Sequence, residues 1–300
     1  MATSWMVVSG FLGAMSNLCM RRSMDKNGSA CAFFVFQLFF TCLVTILLHP
    51  VRTGSYGWNF QIALMGLCGG IFLGAMKWML GKALQRGPAG LTFAAVNSAS
   101  VMPAIVMVLA LGSTLNYELT PYDLAGSILV LMGLFWAGWD KSEKPETRAW
   151  ILFAASAFLL HVLFLVLTEF RAIFLNKHFP NMGNWLINPE KMASEWFVPT
   201  IFAAAAGMHA VMYCISEKRI PIMWEVLWGI LGGIFNGACA FFFMRAAETA
   251  TMRESAFIFA IFSISLIIVC NLWGQWLYNE KVNWKANTLC LIGVFLAAQR

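Results

Sequence analysis

The sequence has little charge: only 11% of its 300 residues are Asp, Glu, Lys or Arg, whereas 60% are hydrophobic. Soluble domains carry about 25% charged and about 45–50% apolar residues. A chain of this length could not cover so large an apolar core with polar surface. A soluble globular fold is therefore excluded, and the composition is typical of a membrane protein.

Motifs of metal, thiol and nucleophile chemistry are also missing. None of the eight cysteines belongs to a Cys-x-x-Cys pair, and all but Cys31 fall in apolar runs, so they are expected to be small buried hydrophobes. The sequence contains no His-Glu-x-x-His, no acidic cluster suited to a metal-bound diphosphate and no Gly-x-Ser-x-Gly elbow. An intramembrane enzyme is disfavoured, and no metal or cofactor is expected.

The net charge of +6 comes from cations scattered through short loops, with no basic stripe, so no nucleic-acid partner is expected. Rings of like charge are missing from the apolar runs, which disfavours a channel. Loops after odd-numbered runs hold 12 Lys and Arg against 7 elsewhere, with Lys77 left out. That bias favours both termini outside the cytoplasm.

Ten apolar runs are long enough to cross a bilayer of about 30 Å, and they must be helical because a lipid-exposed backbone satisfies its own hydrogen bonds. The first run lacks a basic leader and a small-residue cleavage site, so it is expected to be a span rather than a signal peptide. Arg171 to Glu195 is expected to be a long loop, either plain or lying along the interface. The predicted spans are 5–20, 30–48, 60–81, 89–112, 122–139, 149–170, 196–215, 222–244, 254–277 and 284–298.

The chain contains an internal repeat. GLCGGIFLGA (66–75) and GILGGIFNGA (229–238) lie 163 residues apart and share seven of ten residues. Five spans per half is an odd number, so the second half would enter the membrane in the opposite sense, as in many secondary transporters. The sequence therefore predicts an all-α polytopic fold of two inverted five-helix repeats, 1–139 and 149–300, joined by a charged linker, 140–148.

The chain resembles the drug/metabolite transporter superfamily, of the ten-helix EamA type. The resemblance rests on GKAL (81–84), on Pro103 in the fourth span, on Glu118-Leu119-Thr120 before the fifth and on Gly133 within it. It implies alternating-access carriage of a small organic molecule, with the third, fourth, eighth and ninth spans near a central cavity. It also implies a multi-pass protein of the bacterial inner membrane with both termini inside, against the charge bias.

Buried polar residues mark candidate ligands, because polar groups are expensive in a bilayer. Several lie near the middle of their spans, where an interhelical hydrogen bond is the alternative role. Asn97 and Asn236 are preferred because they fall on spans that the resemblance places at the cavity, and Ser100 shares the polar face of Asn97. The other members of this midplane group are Gln37, His161 and His209.

Lys77 is the one Lys or Arg clearly inside a span. Its stem could carry the ammonium to the headgroups, or the ammonium could face the cavity and pair with a substrate carboxylate or phosphate. The neighbouring Trp78 could stack on a planar substrate, as could Trp228 and Trp273.

Glu169 and Glu225 fall at span ends, where solvation is favoured over a proton-coupling role, and His161 is the alternative proton carrier. The pattern favours an exchanger or proton-coupled carrier of an amino-acid-like or nucleoside-like metabolite. A lipid flippase or scramblase is the alternative. The expected partners are a small organic substrate and the lipid bilayer, and the expected state is a monomer, with a homodimer as the alternative.

Overall fold

A computed structural model of the protein describes residues 1–86, 89–115, 120–138, 147–175, 194–255, 257–279 and 282–297. These residues form helices and no strand. Ten helices are numbered here in chain order, and a short turn, Met252–Ser255, precedes the ninth. They are α1 (Ala2–Met24), α2 (Ala30–Ile46, extended by the π-helical Leu47–Val51), α3 (Phe60–Leu84), α4 (Ala89–Ser98 and Met102–Leu115), α5 (Pro121–Gly138), α6 (Thr147–Leu175), α7 (Phe197–Ser216), α8 (Met223–Thr249), α9 (Ile258–Tyr278) and α10 (Trp284–Ala297).

Six of these helices, α2, α3, α6, α7, α8 and α9, are long and apolar enough to cross a membrane. Shorter apolar helices lie within α4, α5 and α10. These are the helices of a multi-pass integral membrane protein. Each predicted span coincides with one helix, so the prediction of an all-helical membrane fold is confirmed.

Helix α1 falls outside those six because it carries several polar residues, and these face the interior of the protein. The hydroxyl of Ser9 donates to the carbonyl oxygen of Cys239 at 2.9 Å, and that of Ser16 donates to the carbonyl oxygen of Gly232 at 2.8 Å. Both serines are buried against α8. Their hydrogen bonds satisfy groups that would be costly to leave unpaired in an apolar interior.

Helix α4 is broken near its middle by a 3₁₀ turn at Ala99–Val101. Pro103 follows this turn and has no N–H to donate to the carbonyl of Ala99, one helical turn back. A proline in this position distorts the turn that precedes it, and tightening to 3₁₀ geometry is one way in which the helix adapts. The break in α4 therefore lies where Pro103 in the sequence would lead one to expect it.

Side-chain caps define where several helices begin. The hydroxyl of Ser29 accepts hydrogen bonds from the amides of Cys31 and Ala32 in the first turn of α2, and Asn59 accepts one from Gln61 at the start of α3. At α5, the Thr120 amide donates to the Asp123 carboxylate at 2.7 Å, and the Asp123 amide donates back to the threonine hydroxyl at 3.3 Å. Such caps satisfy amides that have no partner within the helix.

The helices pack in a set of close pairs. Helix α1 packs on α8 and α9, while α3 packs on α6 and α7. Helix α2 lies between α7 and α8, and α5 packs on α10. Helix α4 completes the bundle against α5 and α6.

Glycines bring two of these pairs into backbone contact. A methyl group added to Gly70 of α3 would lie 2.6 Å from the Cβ of Ala204 on α7. One added to Gly233 of α8 would lie 2.7 Å from the carbonyl oxygen of Gln37 on α2. Small residues let helices approach closely in lipid, where packing drives association. The predicted close packing along both glycine segments is present.

The segment from Arg171 to Glu195 differs from its prediction as a loop, because α6 continues through Arg171 to Leu175. Arg171 is not solvated there: its guanidinium pairs with Glu248 at 2.8 Å and lies 4.5 Å from the ring centre of Phe197. Because these contacts satisfy the charge of Arg171, α6 can continue beyond the predicted end of the span. The predicted interfacial segment within 176–193 and most of the predicted linker, residues 140–146, lie outside the described residues.

Candidate functional site

A cavity of about 730 Å³ opens between α1, α2, α3 and α7. It lies at the end of the bundle formed by residues 24–30, 81–86 and 215–222, which we call the basic end. The volume is within the range of roughly 300–1,000 Å³ that holds small organic ligands. Its described lining comes from these four helices and the loops after α1 and α7, and only α3 belongs to the set that the resemblance implies.

Lys77 lies in this cavity, on the part of α3 that leads from the glycine segment to the basic end. Its ammonium donates to the side-chain oxygen of Gln37 at 3.4 Å and lies 4.7 Å from the ring centre of Phe34. Among the described residues no carboxylate is within ion-pair distance of it. The structure therefore brings two predicted ligands, Lys77 and Gln37, together.

Gln37 joins three helices through its amide. Its side-chain nitrogen donates to the hydroxyl of Ser16 on α1 at 2.6 Å, while its oxygen accepts from Lys77 on α3. The side chain is buried, and both ends of the amide are occupied. Gln37 thus holds the Lys77 ammonium at the wall of the cavity.

Trp78 also lines the cavity, next to Lys77 on α3. The ammonium of Lys82 lies 6.0 Å from the centre of its indole ring, and Lys82 itself is part of the lining. Cations are attracted to the faces of aromatic rings at such distances. Among the described residues, Lys82 has no carboxylate within ion-pair distance.

His209 of α7 also lines the cavity. From the sequence, the role expected for it is an interhelical hydrogen bond. That bond is present: its Nε2 is 3.1 Å from the carbonyl oxygen of Gly74. The ring lies against Phe34, with 5.3 Å between the ring centres, and Nδ1 has no partner among the described residues. The sequence alone does not show that α7, which carries His209, packs beside α3, which carries Lys77.

A network of polar residues forms the rim at the basic end. Arg219 pairs with Glu225, which is fully buried at the start of α8, and with Glu217 at 3.0 Å. Ser29 joins both carboxylates: its amide donates to Glu225 and its hydroxyl to Glu217. Hydrogen bonding to Glu225 raises the pKa of Arg219 above its ordinary value, which keeps the guanidinium charged.

The expectation that Glu225 is solvated is wrong, since Arg219 and two backbone amides, those of Ser29 and Ile222, take the place of water. The same expectation for Glu169 is also wrong. Glu169 is only 2% exposed on α6, because this helix continues past the predicted end of the span.

The two preferred asparagines lie away from the described lining of this cavity. Asn97 donates to the carbonyl oxygen of Phe93 in its own helix at 2.8 Å. Asn236 donates to the hydroxyl of Thr41 on α2 at 3.1 Å. Ser100 is buried in the 3₁₀ turn of α4, and its hydroxyl has no partner among the described residues.

His161 joins α6 to α4, with its Nδ1 2.9 Å from the carbonyl oxygen of Val96 and its ring stacked on Phe164. Trp273 of α9 lies 5.6 Å from the guanidinium of Arg21, outside the described lining of the cavity. Trp228 of α8 is likewise outside this lining.

The opposite end of the bundle contains a cluster of ion pairs. Arg171 of α6 pairs with Glu248 of α8 at 2.8 Å, and Arg245 lies 3.7 Å from the same carboxylate. Nδ1 of His49, in the π-helical end of α2, is 3.1 Å from a carboxylate oxygen of Glu195, within hydrogen-bond distance. The His49 hydrogen bond, aided by the nearby charges of Arg245 and Arg171, lowers the pKa of Glu195 below its ordinary value. This ion-paired end joins α2, α6, α8 and the segment before α7.

Comparison with known proteins identifies the fold alone. A crystal structure of another protein is similar over 99% of this chain and 94% of its own, with a TM-score of 0.67 and 16% sequence identity. No family model and no curated protein matches the sequence. At this identity the likeness carries no information about the substrate.

Proposed function

We propose that this chain is a secondary transporter of the drug/metabolite transporter type, in the bacterial inner membrane. It binds a small organic metabolite that bears an acidic group and carries it across the membrane by alternating access. Amino-acid-like and nucleoside-like solutes are the substrate classes that this proposal favours.

The observation that carries the proposal is that Lys77 lines the cavity and has no carboxylate partner among the described residues. An ionisable residue within a membrane span is costly and usually marks a substrate or ion pathway. Lys77 faces a cavity of about 730 Å³, where its ammonium contacts the Gln37 oxygen and the Phe34 ring, and among the described residues no carboxylate is within ion-pair distance of it. A substrate carboxylate or phosphate would supply the missing counter-charge.

The two ends of the bundle differ in a way that supports alternating access. The cavity opens at the basic end, whereas the opposite end is joined by the pairs His49–Glu195 and Arg171–Glu248. A carrier open on one side needs a closure on the other, and packed interfaces of this kind switch between discrete arrangements. We therefore take the ion-paired end as the closed side of this state.

We further propose that residues 1–139 and 149–300 are inverted repeats. Two observations support this. Gly70 meets residues 201 and 204 of α7, and Gly233, 163 positions later, meets residues 37 and 40 of α2, so each half supplies one partner. Helices α5 and α10 meet in a similar exchange: an added methyl would lie 2.9 Å from the carbonyl of Ala286 at Gly133, and 2.7 Å from that of Gly126 at Gly293.

The test begins with a thermal-shift screen of amino acids, nucleosides and their conjugates on the purified protein, because a ligand of the folded state raises its apparent stability. A radiolabelled form of any ligand found is then followed in proteoliposomes. Uptake by Lys77→Gln should show affinity reduced by about ten- to a hundredfold for an acidic substrate, since a charge-assisted hydrogen bond contributes roughly 1.5–3 kcal/mol. Lys77→Arg should retain part of the affinity.

Lys285→Gln removes the same charge from an exposed position and serves as the control. A neutral analogue of the substrate should be carried equally by the wild type and by Lys77→Gln. Equal affinity of all three variants for the acidic substrate would mean that the Lys77 ammonium does not bind the acidic group of the substrate. Translocation of labelled lipid without solute uptake would favour a flippase instead.

A further inference from the structure

The cavity contains two ammonium groups rather than one, and their charges are not balanced by the described lining. Both lysines line it: Lys82 belongs to the basic end, and Lys77 lies further along α3 from that end. Glu217 is the one carboxylate in the described lining, and it is already engaged by Arg219 at 3.0 Å and by the Ser29 hydroxyl. A ligand that neutralised both lysines would therefore carry two negative charges.

The spacing of these two groups limits the shape of such a ligand. Lys82 is five positions after Lys77 along α3, which corresponds to a rise of about 7.5 Å along the helix axis. Each ammonium also lies near an aromatic ring: that of Lys77 is 4.7 Å from the Phe34 ring centre, and that of Lys82 is 6.0 Å from the Trp78 ring centre. This spacing favours a ligand whose two acidic groups are separated over a single compact anion.

The lining of the cavity that contains the two lysines also includes large apolar side chains. These are Trp78 and Leu80 of α3, Met20 and Met24 of α1, and Met212 of α7. Aromatic and thioether groups pack well on planar, polarisable molecules. The middle of the ligand should therefore be an apolar or aromatic body without charge.

From this arrangement we infer that the preferred ligand is an organic dianion whose two acidic groups lie at opposite ends of a flat apolar body. Lys77 binds the inner acidic group and Lys82 the outer one, while Trp78 packs against the body. The inference rests on the proposed function, because it assigns the substrate class to the same cavity. Carboxylates and phosphates share the chemistry that two lysines recognise.

Binding to the purified full-length protein in detergent, measured by isothermal titration calorimetry, tests the inference. The probes are terephthalate, with a carboxylate at each end of a benzene ring, benzoate, with one carboxylate, and terephthalamide, which is neutral. Phenyl phosphate, which places its charge on one group, distinguishes two separated sites from a single anion site. Terephthalate should bind about ten- to a hundredfold more tightly than benzoate, as expected for one additional charge-assisted contact.

Two substitutions separate the roles of the lysines. Lys82→Gln should reduce terephthalate binding to the level of benzoate and leave benzoate unchanged, whereas Lys82→Arg should keep most of the difference. Lys77→Gln should weaken both ligands by a similar factor. Lys285→Gln, at an exposed position, should change neither.

The outcomes distinguish this inference from the proposed function. If Lys77→Gln weakens benzoate and terephthalate but the two bind the wild type equally, the dianion assignment is wrong and the acidic-substrate site stands. The assignment is also wrong if phenyl phosphate binds as tightly as terephthalate and depends on Lys77 alone. If no anion binds and Lys77→Gln has no effect, both proposals fail.

Discussion

Removing either partner of the Arg171–Glu248 pair should have unequal effects on stability. The two charges are joined at 2.8 Å, but their surroundings differ. Glu248 has a second cation, Arg245, at 3.7 Å, so it remains paired when Arg171 is replaced. Arg171 has the Phe197 ring at 4.5 Å, and replacing Glu248 removes its close carboxylate.

The expected free energies follow from these contacts. Breaking a buried pair by removing one partner typically costs about 3–5 kcal/mol, because a buried charge is left uncompensated. Glu248→Gln should lie near the lower end, at about 3 kcal/mol, since a ring beneath the guanidinium contributes roughly 1 kcal/mol. Arg171→Gln should cost about 1.5 kcal/mol, the lower value for a hydrogen bond to a charged group.

The double variant gives the sharpest test. In the Glu248→Gln background, Arg171→Gln should be stabilising, because it removes a buried charge that has lost its close carboxylate and keeps only the longer-range attraction of Glu195. Unfolding in mixed micelles, followed by helical circular dichroism, measures all three variants, with Lys285→Gln as a control for loss of one positive charge. If Arg171→Gln instead destabilises the Glu248→Gln variant, the ion-paired end is not held by this pair in the way described.

Three other predictions concern the packing, the ion-paired end and the asparagines. Gly70→Ala should lower the unfolding free energy by about 1–3 kcal/mol, because the added methyl meets α7, whereas Gly207→Ala, with no atom within 4 Å, should not. The pKa of Glu195 is held below its ordinary 4.5; its stabilisation should be complete above pH 4.5 and lost as the pH falls through the lower folded-state value. Thermal unfolding against pH should show this loss, and Glu195→Gln should remove it. Because Asn97 and Asn236 lie away from the described lining of the cavity, Asn97→Ala and Asn236→Ala should each leave uptake largely unchanged with no loss of folded protein in size-exclusion chromatography, and a loss of transport by either would place the site elsewhere.

The sequence predicts the helices well because each span is a run of apolar residues bounded by polar ones. The paired glycines of α3 and α8 predict close packing, and Gly70 and Gly233 do meet neighbouring backbones. Helix ends are harder to predict. Arg171 looks like a loop residue in the sequence, and the contacts that satisfy its charge within α6 come from Glu248, 77 residues away, and from Phe197.

The candidate site was predictable only in part, for a related reason. Lys77 and Trp78 stand out because a cation within a span is rare, and both line the cavity. His209 and Glu225 are no more conspicuous in the sequence than other buried polar residues. Their roles depend on which helices lie side by side, and hydropathy and spacing do not determine that arrangement.

The position of Cys31 makes the cavity accessible to chemical labelling. This residue is at the start of α2, is partly exposed and lines the cavity, while its thiol lies 4.0 Å from the carbonyl oxygen of His209. A membrane-impermeant thiol reagent would reach it only from the compartment that faces the basic end. Labelling of right-side-out and inside-out vesicles, with Cys68→Ser and Cys214→Ser removing the two exposed thiols, would therefore reveal the topology of the chain. Protection of the same thiol by a bound ligand would report occupancy without any introduced probe.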